Sequence, residues 1–164
     1  MAYTVETQGM DEIGEMLAAL GEQAPAVAAK GLYDGAGVIA DRINRGAESI
    51  RTEPFHYAKF ITRMPSPEEK AAILSAGAGI ATFDKNGSEV STSVGYSNSG
   101  YAEVNGKTKP IPMIANAINS GTSFMQQQPF FRKAVNSGKQ EASNAIIKRC
   151  EAEFDALINQ NGGK

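Results

Sequence analysis

The chain has 164 residues, 41% hydrophobic and 21% charged, with a net charge of -2 and a sequence pI of about 5.5. That size supports a single domain, 1–164, with its own core. The balance lacks the basic excess of a protein that grips nucleic acid by neutralising phosphates, no apolar run is long enough for a bilayer, and a lone Cys150 excludes an internal disulfide.

In chain order, Tyr3–Gln8 alternates Tyr3, Val5 and Thr7 against polar neighbours and predicts a short strand. Met10–Gly21 places Ile13, Met16, Leu17 and Leu20 at helical spacing, with Asp11, Glu12 and Glu15 where a helix dipole favours acids. Pro25 suits the first turn of a second helix, whose stripe runs through Val27, Leu32, Ile39 and Ile43. Two helices joined by a short connection are expected there. Gly31, Gly35 and Gly37 weaken the second helix, which points to close approach of another element. Residues 51–67, with aromatics among three prolines, read as an irregular arm. Ser66, Pro67, Glu68, Glu69 and Gly77 mark the cap, first turn and stop of a compact helix.

Asn86-Gly87 between Ile80–Phe83 and the alternating Val90, Thr92, Val94 and Tyr96 predicts a β-hairpin with a type I′ turn. "SNSGYAEVNGKTKP" reads as a polar loop, and Ile111–Gly121 as a short helix. Pro129–Gln160 reads as the longest helix, its stripe formed by Phe131, Val135, Gly138, Ala142, Ile146, Cys150, Phe154 and Leu157, followed by a frayed tail at 160–164. The fold class expected is α+β: an antiparallel sheet with a β-hairpin, packed by N-terminal helices and a long C-terminal helix.

No constellation for catalysis emerges. The only histidine, His56, has no clustered carboxylate or second histidine near it in sequence. Cys150 falls on an apolar stripe, which reads as core. The Gly-x-Gly runs lack the dinucleotide fingerprint, and "DKNGSEVS" carries Gly95 where a calcium loop needs its twelfth-position glutamate. These features predict no catalytic, cofactor or metal site and favour a structural or interaction protein. One charge detail stands out: the last helix starts with Arg132 and Lys133 and ends with Glu151, Glu153 and Asp155, the reverse of what its dipole prefers. Partners of opposite charge at its ends would explain that order.

"VGYSNSGY", "PIPMIANAINSGTS" and "QQPFFRKAV", followed by a long final helix, resemble the tail-component family of long-tailed phages, the tail-completion or head–tail joining proteins. Gly121-Thr122-Ser123 and Pro129-Phe130-Phe131-Arg132-Lys133-Ala134 match its turn and helix start in order and spacing, and the helical opening is similar too. Residues 51–77 depart from the pattern, as do Asn119 and Ser120 where many members carry a glutamate. The resemblance implies an α+β virion protein of the phage neck or tail, assembled in the host cytoplasm. It would work as copies in a ring, against a head connector or stopper, a tail terminator or tube proteins, with DNA passing nearby unread. The interface expected is Phe124, Met125, Gln126 and Gln127 on a flexible contact loop, Phe130 and Phe131 as its anchor, Arg132 and Lys133 at the helix start, and Phe55, Tyr57 and Phe60 on the arm. A tail terminator or connector stopper is the alternative within that class. A small hydrolase or nucleic-acid-binding factor is the alternative outside it.

Overall fold

A computed structural model describes residues 10–53, 62–87 and 89–161. Its class is α+β, with the elements α1 (Met10–Glu48), α2 (Pro67–Ala76), β1 (Gly79–Ile80), β2 (Asp84–Asn86), β3 (Glu89–Ser91), β4 (Val94–Gly95), β5 (Tyr101–Val104), β6 (Lys107–Pro110), α3 (Ile111–Ser120) and α4 (Phe130–Asn161). The strand expected at Tyr3–Gln8 lies outside the described residues.

The two expected N-terminal helices are one. α1 runs 39 residues without a break, longer than the 32 of α4, and Pro25 sits inside it. The missing Pro25 N–H leaves the Gly21 carbonyl without its helical donor. Strong helix formers on both sides (Ala18, Ala19, Leu20, Glu22, Ala24, Ala26, Ala28) and a partner helix alongside carry the backbone past that loss. The partner is α4. Lys30 pairs with Glu153 and Arg42 with Glu141, so the helices run antiparallel. α4 also keeps its helix through Asn161, further than the frayed tail expected from residue 160.

The seam explains two of the glycines. A methyl group on Gly31 would lie 2.6 Å from Cys150 Sγ, and one on Gly35 would lie 2.5 Å from Ile146 Cγ1 and 3.0 Å from the Ala142 carbonyl. The helix backbones therefore approach closer than any side chain at these positions permits. Cys150, expected in the core, is instead half-buried in this seam, its thiol 3.9 Å from the Val27 carbonyl.

The remaining elements form a small body on the C-terminal half of α1. Ile43 and Ala47 on α1 and Ile50 just past its end meet Ile73 on α2, Val104 on β5, Ile114 and Ile118 on α3, and Phe130 and Ala134 on α4. α3 shows why it is a helix: Ile111, Ile114, Ala115 and Ile118 are all buried at i, i+3, i+4 and i+7. α2 starts and stops as its sequence predicts, with Ser66 as N-cap and Gly77 at φ 64° after its last turn. Lys70 on α2 donates to the Glu48 and Ile50 carbonyls, at 2.6 and 2.8 Å, which satisfies the exposed carbonyl end of α1.

The sheet content is three antiparallel two-stranded ladders: β1 with β4, β2 with β3, and β5 with β6. The expected hairpin is present but turns one residue later. Asn86 pairs with Glu89 as the last ladder position, so Gly87 at φ 62° opens the turn. The stretch read as a polar loop is a second hairpin. Asn105 and Gly106, at φ 52° and 69°, form a two-residue connection between Val104 and Lys107, with the two positive φ values a type I′ turn requires.

The glycine seam sets a paired test. Gly35→Ala should lower unfolding free energy by about 1–3 kcal/mol through overpacking. Gly37→Ala, where a methyl group meets nothing within 4 Å, should raise it by up to ~1 kcal/mol through helix propensity. Denaturant titration followed by circular dichroism reads both; equal effects would refute close approach at Gly35.

Candidate interface at the 121–128 loop

The predicted contact loop and the base of the predicted arm come together in the fold. Arg63 N–H donates to the Phe124 carbonyl and Gln126 N–H to the Arg63 carbonyl, both at 2.9 Å, giving a parallel bridge between Arg63 and Met125. Within the loop, Thr122 and Met125 exchange backbone bonds at 3.0 and 3.3 Å, and the Phe124 N–H reaches Thr122 Oγ1 at 3.2 Å. Gln128 closes the far end. Its N–H donates to the Ile118 carbonyl, and its side-chain amide exchanges two bonds with the Arg51 backbone at 2.8 and 2.9 Å, as a neighbouring strand would.

The loop expected to be a flexible contact segment is a platform tied by hydrogen bonds at both ends. Phe124 stands out of it with 75% of its surface exposed, while its neighbour Met125 is 5% exposed and belongs to the core. Met125 is accordingly corrected from contact residue to anchor. The turn reverses the chain so that adjacent side chains face opposite ways. Gln126 and Gln127 are exposed, and Gln127 also reaches the Asn119 carbonyl at 3.4 Å. Phe130 is buried as the expected anchor, meeting Phe131 edge-to-face at 6.4 Å between ring centres. Arg132 and Lys133 are exposed; the Arg132 N–H is capped by Asn119 Oδ1 at 3.2 Å. Phe55, Tyr57, Phe60 and His56 lie outside the described residues.

What holds the platform in place is an ion pair that the sequence reading did not single out. The Arg63 guanidinium grips the Glu69 carboxylate in a fork, at 2.6 and 2.7 Å, with the two side chains 18% and 3% exposed. Glu69 also accepts from the Ser66 N–H at 2.9 Å while Ser66 Oγ accepts from the Glu69 N–H at 3.2 Å, completing a capping box. One carboxylate thus joins the start of α2 to the strand-like segment that carries the loop. The S-x-x-E spacing after Pro65, with an arginine three residues before Ser66, is the signal that would have found it. Burial pushes the Glu69 carboxyl up, but the Arg63 fork and the Ser66 N–H outweigh it, with a smaller contribution from Lys109, and hold it below its ordinary value.

Beside the platform, Phe131 lines a hollow of about 240 Å³ with Tyr96, Pro112 and Asn116. The Tyr96 hydroxyl is buried without a hydrogen-bond partner among the described residues, and burial pushes its pKa up to about 12. It stays a neutral phenol throughout the physiological range. Among the described residues no group of three or more His, Cys, Asp or Glu is placed to hold a metal ion, and no helix is long and apolar enough to cross a membrane.

Removing Arg63 strands a buried carboxylate, so Arg63→Ala should cost about 3–5 kcal/mol. Arg63→Lys should restore little of it, because an ammonium cannot make the fork. The folded Glu69 pKa lies below the unfolded one, so its stabilisation is whole above about pH 4.5 and is lost as pH falls through the lower folded value. Glu69→Gln should flatten that acid limb; an unchanged limb in a pH series of thermal melts would show that Glu69 does not set it.

No protein family, no curated protein and no solved structure matches this chain.

Proposed function

We propose that this chain is a structural virion protein of a phage neck or head-proximal tail end, acting in tail completion or head–tail joining by ring assembly. Its work is surface complementarity, with no bond made or broken. The observation that carries this reading is Phe124. In the run whose Gly-Thr-Ser and Pro-Phe-Phe-Arg-Lys-Ala elements resemble the tail-component family, a large aromatic is held out in solvent on a backbone fixed at both ends. An exposed aromatic on a rigid support loses little entropy on contact, which is the character of an interface anchor. The acidic overall balance suits a ring past which DNA slides without sticking.

A tail terminator or connector stopper would use the same kind of surface, and particle morphology separates the roles. In lysates of a producing system that lacks this protein, negative-stain microscopy should show full heads and tails of normal length that fail to join. Overlong tubes would move the assignment to a terminator. Normal joined particles would refute the reading.

Phe124 and Met125 provide a finer check. Phe124→Ala should leave unfolding free energy within ~0.5 kcal/mol of the native chain and still reduce joined particles. Met125→Ala should cost about 2–5 kcal/mol through core loss. Full particle yield with stable Phe124→Ala would remove Phe124 from the interface.

A further inference from the structure

Two adjoining hollows, of about 360 and 200 Å³, lie where α4 starts against the C-terminal end of α1, and they share Ser49, Phe130 and Lys133. Arg42 and Arg45 line one and Arg51 the other; no acidic residue lines either. Arg42 is neutralised by Glu141, but Arg45, Arg51 and Lys133 form no ion pair among the described residues. The result is a basic groove with an apolar floor at Gly46, Phe130 and Ala134, in a chain whose net charge is negative.

The opposite end of the helix pair has the opposite charge. Residues 10–35 of α1 contain five acids and one base, and residues 143–161 of α4 contain three acids and two bases. The two bases nearest the seam are already used: Lys30 on Glu153, and Arg149 on Asp34 and Glu153. Glu151 and Asp155 are exposed and form no ion pair among the described residues. With Ile158, 43% exposed, they fall at i, i+4 and i+7, on one face of α4. That face offers two carboxylates beside one apolar knob. The groove offers unpaired cations beside an apolar floor.

We infer that the acidic end of α4 in one copy docks in the basic groove at the root of the helix pair in the next copy. Glu151 and Asp155 meet Arg45, Arg51 and Lys133, and Ile158 covers the floor beside Phe130. The contact joins two different patches, so it is heterologous and propagates head to tail until rotation closes a ring. It also accounts for the reversed charge order of α4. Bases at the N-terminus and acids at the C-terminus oppose the helix dipole in an isolated chain, and each is neutralised by a neighbour in the assembled one. This inference rests on the ring-assembly reading and specifies its self-contact.

The test is charge reversal with complementation. A root variant (Arg45→Glu with Lys133→Glu) and a tip variant (Glu151→Lys with Asp155→Lys) change exposed residues, and circular dichroism confirms that each folds. Sedimentation velocity should show the native chain self-associating at low salt and dissociating toward ~0.5 M salt, where screening shortens the reach of the charges. Each variant alone should associate roughly a hundredfold more weakly, because like charges then face each other. An equimolar mixture should recover association, since a reversed root meets a reversed tip, and a native root a native tip, only across unlike chains. Variants that associate as the native chain does, or a mixture that stays monomeric, overturn the contact. A 30-base-pair duplex, a length of about 100 Å, is the second probe. Duplex binding lost in the root variant with self-association intact would assign the groove to phosphate and also overturn it. Either failure leaves the neck assignment to particle morphology, which is scored without this contact.

Discussion

The closeness of α1 and α4 is the constraint on which the rest depends. Because Gly31 and Gly35 present no side chain, Ile146 and Cys150 lie against the α1 backbone, and the two long helices hold each other over most of their length. Amphipathic pairing with α4 supports the outer part of that seam. The body then needs only to cover the root, where Ile43, Ala47 and Ile50 turn from the helix partner to α2, α3 and β5. Ion pairs between Lys30 and Glu153, and between Arg42 and Glu141, fix the antiparallel register without contributing much to stability at an exposed surface.

Within the body, position is transmitted through few bonds. The Arg63–Glu69 fork orients the segment beside the 121–128 loop, two backbone bonds carry that orientation to Phe124 and Gln126, and Gln128 ties the far end to Arg51. Buried ion pairs are often no better for stability than apolar replacements, so specificity is the better account of this one. It sets where a backbone strand lies, and the exposed aromatic inherits that position.

Much of this was legible in the sequence where local chemistry decides the outcome. The α2 boundaries follow from Ser66, Pro67 and Gly77, and the α+β class from helical stripes flanking a hairpin. The seam glycines correctly signalled close approach. Legibility failed where tertiary contacts override a local signal. Pro25 looked like a helix start, yet a partner helix carries α1 through it. Asn86-Gly87 drew the turn one residue early, while the equally strong Asn105-Gly106 was masked by polar neighbours. The site divides the same way. The exposure of Phe124 and the burial of Phe130 follow the sequence reading, but the burial of Met125 does not, because exposure flips between adjacent residues inside a tight turn. The Arg63–Glu69 fork escaped because its partners belong to segments read separately, an irregular arm and a helix cap.

The pairing of α1 with α4 has a kinetic side. Between Glu48 and Phe130 lie 81 residues, so bringing the two helices together from an open chain carries a loop-closure cost of about 4 kcal/mol before any constant term. Contacts of such sequence separation form slowly. The least costly order lets the body condense first around Ile43, Ile73 and Ile118, which sets the start of α4 beside the end of α1 and shortens the loop still to be closed. Pairing can then advance outward one turn at a time, each new contact adjacent to one already made. The outermost turns join last and, having the fewest neighbours, open first, so exchange of backbone protons is fastest there and slowest at the root.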